Sequence, residues 1–306
     1  MKSTTIIEIM RMGRFHFLLS GFILYTLGSL YALALGHSVT LQQWIWGYTV
    51  LMCAHLSVSY SNDYFDSSHD VKGAQTPFSG GSGVLQRMPE LKNTAYKISV
   101  GLILLSMCIG TGFVLYYGLD PVFIVFIIFG NLLGYYYTSP PLSLSYRGYG
   151  ELATTIAVGV IVPIMGYLCS NGQAQIELLG LLIPSILYGL VFILTVELPD
   201  MEDDKEGSKR TYVVARGRSS AVRLILICCL CASVVYALFV FVPLVPDMVD
   251  YRIITMFSLL PLIVAIRGVR NAPSSHKLSM PFVIRSMSSL ILFTCLFNAY
   301  LLYLIF

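Results

Sequence analysis

Four oxygen-bearing side chains stand close together just after the apolar run 41–60. They are Asn62, Asp63, Asp66 and Asp70. On a helix that advances about 100° per residue, all four fall within roughly 100° of one another. Three carboxylates in that space repel each other unless a cation lies between them. Because the ligand atoms are all oxygens, the pattern favours Mg²⁺, which proteins commonly hold with a few carboxylates and the phosphates of a substrate.

The same polar stripe continues backwards into the apolar run. Ser59 and His55 fall about 60° and 20° from Asn62 on the same helix. Polar and ionisable groups inside a membrane span are costly and mark functional sites. The stripe therefore predicts that His55 and Ser59 face a substrate cavity. A histidine that only bonds to a neighbouring helix is an equally good interpretation of His55.

A second acidic motif lies in residues 197–206, where Glu197, Asp200 and Asp204 fall within about 60° of one another on a helix. Pro199 is predicted to kink the end of the preceding span and so to aim the motif. An acidic helix end is often only a solvated face, and Glu202 is predicted to be one. However, nine of the sixteen acidic residues lie in 63–70 and 197–206. This concentration predicts that the two motifs share a function.

Two acidic motifs that share Mg²⁺ would form a receptor for diphosphate, in which basic side chains stabilise the leaving oxygens. The candidate diphosphate-binding residues are Arg14, Arg147, Lys209 and Arg210. Each could instead be a topology anchor at a cytoplasmic helix end. The run Gly80-Gly81-Ser82-Gly83 could wrap a phosphate with backbone amides or be a flexible loop.

Composition places these motifs in a membrane protein. Of 306 residues, 56% are hydrophobic and only 11% are charged, whereas soluble domains carry about 25% charged residues. We predict a single all-α intramembrane domain, 1–306, with the motifs in cap loops 62–93 and 199–219. Nine segments are long enough to span a bilayer. They are 15–36, 41–61, 94–117, 121–138, 150–170, 177–198, 220–243, 251–270 and 283–305.

The distribution of Lys and Arg sets the predicted orientation. The N-terminus and the even-numbered connections, with their helix ends, hold 18 of the 19 basic residues. This asymmetry predicts a cytoplasmic N-terminus and places both acidic cap loops on the cytoplasmic face. We expect a bilayer as partner and no nucleic acid.

The motifs resemble those of the UbiA-type intramembrane prenyltransferases. The pattern Asn62-Asp63-x-x-Asp66-x-x-x-Asp70 is similar to the family's first motif, and Asp200-x-x-x-Asp204 to its second. The runs 137–141 and 147–151 resemble the family's loop after the fourth span. Residues 62–66, 80–85 and 197–211 are most similar to the menaquinone branch, the 1,4-dihydroxy-2-naphthoate polyprenyltransferases. The chain departs from the family pattern at Phe15, where many members have proline, and it lacks a Tyr-x-x-x-Lys pattern in the third span.

The resemblance implies nine helices around a central cavity that opens sideways to lipid. It implies that Mg²⁺, held by Asn62 and the five motif aspartates, binds a polyprenyl diphosphate, whose prenyl group passes to an aromatic acceptor, 1,4-dihydroxy-2-naphthoate. We expect a bacterial inner membrane, with the site on the cytoplasmic side as the Lys and Arg distribution predicts. The expected cavity residues are His55, Ser59, Asn131, Tyr135, Tyr137 and Glu197.

Several alternatives stay open at this point. The acceptor could be 4-hydroxybenzoate, homogentisate, a porphyrin or a glycerol phosphate. A terpene cyclase would use the same acidic motifs without an acceptor. A transporter would also carry intramembrane polar groups, although its site would lie near the midplane of the bilayer. Chain length, general base and oligomeric state are not fixed by the sequence.

Overall fold

The computed structural model describes residues 3–67, 81–170, 175–241, 248–271, 273 and 275–306, and every regular element in these ranges is helical. The helices are α1 (Ser3–Met12), α2 (Leu18–Ala34), α3 (Leu41–Asp66), α4 (Val84–Arg87), α5 (Lys92–Tyr117), α6 (Val122–Tyr135), α7 (Gly150–Ile156), α8 (Val162–Leu168), α9 (Leu179–Glu206), α10 (Tyr212–Arg216), α11 (Arg218–Phe239), α12 (Tyr251–Asn271) and α13 (His276–Ile305). The all-α prediction is confirmed for the described residues.

Seven helical stretches are long and apolar enough to cross a membrane, which is the pattern of an integral membrane protein. They are Thr4–Ala34, Pro89–Tyr117, Gly150–Leu168, Ile176–Glu206, Arg218–Phe239, Tyr251–Asn271 and His276–Ile305. The other two predicted spans correspond to α3 and α6. Helix α6 has 14 residues, about 21 Å of helix, and α3 carries the polar stripe. The count of nine spans and the orientation remain predictions.

The second acidic motif lies on a helix and not in a cap loop as predicted. Helix α9 runs through Pro199 to Glu206, so the predicted loop 199–219 begins with two further helical turns. Arg218 supports the region around the proline, because its Nε donates to the Leu198 carbonyl at 2.7 Å and its Nη2 to the Pro199 carbonyl at 3.3 Å. Proline removes one backbone donor, but it does not end this helix.

Helices α2 and α8 pack at backbone distance. A Cβ added at Gly28 would lie 1.9 Å from the Pro163 carbonyl oxygen, and one added at Gly166 would lie 1.9 Å from the Tyr25 carbonyl oxygen. Only glycine permits this approach. The contact draws α8 against α2, while the π-helical turn Ala157–Ile161 that precedes α8 packs against α9, where a Cβ added at Gly159 would lie 2.6 Å from the Ser185 carbonyl oxygen. Turns of this type occur often at functional sites, and this one lines the cavity described below.

Candidate active site

The first acidic motif occupies the last turn of α3. The start of α3 is fixed by a capping box, in which the Thr40 side chain accepts from the Gln43 backbone and the Gln43 side chain accepts from the Thr40 backbone. Asp63 and Asp66 lie in the last turn of this 26-residue helix, 4% and 6% exposed. Buried carboxylates are costly unless they are paired or hydrogen-bonded. Each of these two has a cationic partner.

Asp63 is held between Arg14 and Ser82. The Arg14 Nη2 lies 3.7 Å from Asp63 Oδ1, and the Ser82 backbone N–H donates to the same oxygen at 3.2 Å. The Ser82 hydroxyl donates to Oδ2. The role of Ser82 was not predicted, although it lies in the glycine-rich run 80–83, whose predicted contact was a phosphate.

Arg14 itself is incompletely paired. Its backbone is in the left-handed region at φ 44°, which is uncommon outside glycine and marks a constrained position. Its Nη2 donates weakly to the Ser59 carbonyl at 3.5 Å, and its buried Nε has no hydrogen-bond partner among the described residues. A buried guanidinium with an unused donor is suited to an anionic ligand.

A small second core holds Ser82 in place. Met12 of α1, fully buried, packs with Tyr60 of α3 and with Val84 and Leu85 of α4. The Tyr60 hydroxyl also donates to the Ile9 carbonyl at 3.1 Å. Helix α1 therefore braces the segment that contributes Ser82 to the site.

Asp66 brings the two acidic motifs together through Lys209. The Lys209 Nζ donates to Asp66 Oδ2 at 3.1 Å, and the Tyr146 hydroxyl donates to Asp66 Oδ1 at 2.7 Å. Burial alone would lower the pKa of Lys209, but the carboxylates of Asp66 and Asp204 raise it well above its ordinary value. Lys209 therefore lies in the field of carboxylates from both α3 and α9. The contact of Tyr146 was not predicted, because nothing in its local sequence marks it.

The donor set fits a hard divalent cation. Asp63, Asp66 and Asp204 supply carboxylates, and the Asn62 amide oxygen, which accepts from Thr138 Oγ1 at 3.1 Å, keeps a second lone pair. Asp63 and Asp66 are buried and already have the cationic partners Arg14 and Lys209, so a metal ion here would share these carboxylates with the two basic side chains. Within the described ranges, however, no three acidic, histidine or cysteine side chains come within reach of one metal ion.

The other predicted metal ligands and diphosphate-binding residues do not all lie near Lys209. Asp200 is half-buried on α9, and Asp70 lies outside the described residues. Arg147 and Arg210 are exposed, so the structure does not bring them into the group around Lys209. Glu202, predicted to be solvated, pairs with Arg218, whose Nη1 donates to its Oε1 at 2.6 Å. This prediction was incomplete, because Arg218 reaches back sixteen residues to Glu202.

A cavity of about 350 Å³ lies directly beneath the acidic motifs. Its lining includes six polar residues from the predictions: Arg14, His55, Ser59, Asn62, Asn131 and Tyr137. Its deeper wall is apolar and includes Leu51, Phe126, Ile161, Met165 and Phe192. The Asn131 amide donates to the Ile127 carbonyl at 2.9 Å and to Ser106 Oγ at 3.2 Å, while its buried Oδ1 has no partner among the described residues.

Tyr135 and Glu197 were also predicted to line the cavity, but they are not part of the lining that the described residues form. The Tyr135 ring packs edge-on against Phe65, with 5.7 Å between the ring centroids. Glu197 is 6% exposed, and neither of its carboxylate oxygens has a partner in the described part of the chain. It lies on α9 next to Val196, which does line the cavity.

Comparison with known proteins agrees with this arrangement. Residues 22–290 match the UbiA prenyltransferase family. The chain belongs to this family, and it is a prenyltransferase. It is 24% identical over 176 residues to the 1,4-dihydroxy-2-naphthoate octaprenyltransferase of Bacillus subtilis (strain 168), a match that covers 56% of this chain and 53% of that relative. The match thus spans about half the length of that protein.

The fold is that of solved UbiA structures. A UbiA homolog from Archaeoglobus fulgidus superposes with a TM-score of 0.71 at 15% identity, over 97% of this chain and 99% of that one. The same homolog bound to DMAPP and Mg²⁺ gives a TM-score of 0.69 at 15% identity, over 96% and 98% of the two chains. At these identities the likeness establishes the fold alone.

Proposed function

We propose that this protein transfers a polyprenyl group from a polyprenyl diphosphate to 1,4-dihydroxy-2-naphthoate, as a step of menaquinone biosynthesis. The observation that carries the proposal is the meeting of the two acidic motifs at Lys209, beside a largely apolar cavity that Asn62 and Arg14 help to line. Further support comes from the partial match to a 1,4-dihydroxy-2-naphthoate octaprenyltransferase.

In this proposal Asn62, Asp63, Asp66, Asp70, Asp200 and Asp204 hold Mg²⁺. When bound, Mg²⁺ would neutralise diphosphate charge and so favour departure of the leaving group. The support for this assignment is the pair of buried carboxylates at the end of α3, Asp63 and Asp66, with the half-buried Asp200 and Asp204 on α9. The structure of a homolog with DMAPP and Mg²⁺ shows that the fold accommodates such a pair of ligands in that protein.

The basic side chains bind the diphosphate. Lys209 and Arg14 flank the two buried aspartates at 3.1 and 3.7 Å, so both can donate to the leaving oxygens. Arg147 and Arg210 are exposed and are proposed as weaker, outer contacts. The allylic C–O bond breaks, and its electron pair leaves with the diphosphate. The apolar wall of the cavity excludes water from the electron-poor prenyl carbon.

Acceptor binding is assigned to the polar side chains lower in the cavity. The unpartnered Asn131 Oδ1 can accept a hydrogen bond from a ring hydroxyl, and His55 and Ser59 line the same space. The ring carbon bonds to the prenyl carbon, and loss of the acceptor's carboxylate as CO₂ restores aromaticity. Tyr137 contributes a ring face to this space. Tyr135 and Glu197 act as supporting residues beside the cavity.

A membrane setting suits this chemistry, because each CH₂ of the prenyl tail gains about 0.8 kcal/mol on leaving water. We propose that the chain works as one intramembrane domain with nine spans, with its site at the cytoplasmic side of a bacterial inner membrane. The basic residues concentrated at that side support this orientation.

The test uses the purified protein in lipid nanodiscs with a radiolabelled prenyl diphosphate. With 1,4-dihydroxy-2-naphthoate we expect prenylated product and release of CO₂. EDTA should stop the reaction, and Mg²⁺ should restore it. Faster transfer to 4-hydroxybenzoate, homogentisate or glycerol phosphate would contradict the proposed acceptor. A cyclic product from prenyl diphosphate alone would contradict transfer, and so would uptake into vesicles without any covalent product.

A further inference from the structure

A second cavity lies far along the chain, between α12 and α13. Its volume is about 140 Å³. One stripe of α12 lines it with Val264, Arg267, Gly268 and Asn271, and one stripe of α13 lines it with Leu278, Pro281, Phe282 and Arg285. Both sets follow the spacing i, i+3, i+4, i+7, which defines a single helix face. The cavity therefore lies on the interface between two neighbouring helices.

The tight point of this interface is the contact of Gly268 with Phe282. A Cβ added at Gly268 would lie 2.2 Å from the Phe282 ring, and Phe282 is 7% exposed. The Phe282 ring thus packs directly against the α12 backbone at Gly268. Arg267 lies next to Gly268 on α12, and Arg285 lies three residues after Phe282 on α13. Each helix therefore contributes one arginine to the lining of the same cavity.

The cavity contains an unbalanced positive charge. Arg267 and Arg285 both line it, and no acidic residue of the described chain does. By contrast, Arg218 pairs with Glu202, and Arg14 pairs with Asp63. Two like charges that line the same cavity repel each other unless an opposite charge lies between them. Guanidinium groups bind phosphate with paired, parallel hydrogen bonds.

The position of the cavity fits a lipid headgroup. Helix α12 has 21 residues, about 31 Å, which matches the hydrocarbon thickness of a bilayer. The cavity occupies its last two turns, so it lies where headgroups begin. Leu278, which is 60% exposed, borders it and offers an apolar surface for acyl chains. A soluble phosphate would gain nothing from that surface.

We propose that this cavity, lined by Arg267, Asn271 and Arg285, binds the phosphate of an anionic phospholipid. The site is separate from the acidic motifs, although it lies at the same end of the bundle, because the His276 Nδ1 contacts the Pro199 carbonyl oxygen at 2.9 Å. Basic pockets between membrane helices are known to bind acidic headgroups. The proposal does not depend on which acceptor the enzyme prenylates.

The test measures lipid retention by native mass spectrometry. The full chain is purified from mixed micelles that contain phosphatidylglycerol and phosphatidylcholine. We expect the wild type to retain phosphatidylglycerol in preference to phosphatidylcholine. Arg267→Gln with Arg285→Gln should reduce that retention about tenfold, and each single substitution should reduce it less. Arg223→Gln is the matched control, since Arg223 is an exposed arginine of α11 that does not line this cavity.

Three outcomes would overturn the proposal. One is equal retention of the two lipids by the wild type. Another is a loss in Arg223→Gln as large as that in the double variant, which would indicate a diffuse surface attraction. The third is displacement of phosphatidylglycerol by millimolar inorganic phosphate, which would identify free phosphate as the occupant. If the double variant does not fold, the single substitutions provide the same comparison, since each leaves one guanidinium group in place.

Discussion

The two ends of the helical bundle bury polar groups in different ways. At the acidic end, carboxylates of Asp63 and Asp66 are buried against the cationic groups of Arg14 and Lys209. At the opposite end, neutral hydroxyl groups pair with each other. The Tyr31 hydroxyl lies 2.9 Å from the Tyr251 hydroxyl and donates to the Glu177 carbonyl at 2.8 Å.

This difference matters because the two arrangements contribute differently to the stability of the fold. A neutral hydrogen bond contributes about 1 kcal/mol to stability and leaves no buried charge without a partner. A buried ion pair is weak support for stability, because desolvation offsets the attraction between the charges. The acidic end therefore carries an arrangement that packing alone would not favour, which is expected if these residues act in the proposed reaction.

The largest expected effect comes from the acidic end. Asp66→Asn removes the charge that joins α3 to Lys209, and we expect prenyl transfer to fall by about 100-fold or more. The matched control is Asp250→Asn at the opposite end, where, among the described residues, the carboxylate pairs only with Arg252. Steady-state transfer rates of the two purified variants test this. Comparable losses in both would show that the acidic end is not special.

A smaller effect, on stability, is expected for a substitution at the contact of α2 with α8, which lies between the two ends of the bundle. Gly166→Ala places a methyl group against the Tyr25 carbonyl oxygen, so α2 and α8 must separate at a cost of about 1–3 kcal/mol. Gly101→Ala is the control, because nothing lies within 4 Å of its added Cβ. Thermal unfolding in detergent should show a lower midpoint for Gly166→Ala only. An unchanged midpoint would mean that the close helix contact is absent.

A substitution at the opposite end of the bundle should lower stability slightly and leave turnover unchanged. Tyr31→Phe removes one buried hydroxyl and its two hydrogen bonds, which should cost about 1–3 kcal/mol of stability, including the unpaired Tyr251 hydroxyl left behind. Turnover of the folded enzyme should match the wild type. The unfolding midpoint and the rate per folded molecule give the two readouts. A tenfold loss of turnover would indicate that the two ends are functionally coupled.

The smallest expected effect concerns pH. Because the carboxylates raise the folded-state pKa of Lys209, its contribution to stability is complete below the unfolded value of about 10.4 and is lost only as the pH rises through the higher folded value. Between pH 7 and 10, wild type and Lys209→Arg should therefore show parallel activity profiles. A fall in the wild type alone would show that Lys209 loses its proton within this range.

Much of the site could be predicted because its residues lie at helical spacing within two short segments. On the predicted face of α3, Asn62, Ser59 and His55 line the cavity, whereas Asp63 and Asp66 are not part of its lining among the described residues. The predicted sixth span, 177–198, ends too early, since α9 continues to Glu206. Arg218 supports the helix at this point, because it binds the Leu198 and Pro199 carbonyls from about twenty residues later in the chain.

The unpredicted contacts share a cause. Tyr146 and Ser82 reach Asp66 and Asp63 from loops 80 and 19 residues away in the chain, and no local periodicity marks such contacts. Conversely, Arg147 and Arg210 were predicted from charge and location alone, and the structure leaves both exposed. Basic residues at helix ends serve topology as often as chemistry.

The first helix has a practical consequence for how the enzyme is handled. Since Met12 is fully buried against Val84 and Leu85, α1 packs directly on the segment that carries Ser82. A bulky affinity tag fused there would press on the loop that steadies Asp63. Phe306, which is 96% exposed at the far terminus, is the safer place to attach one.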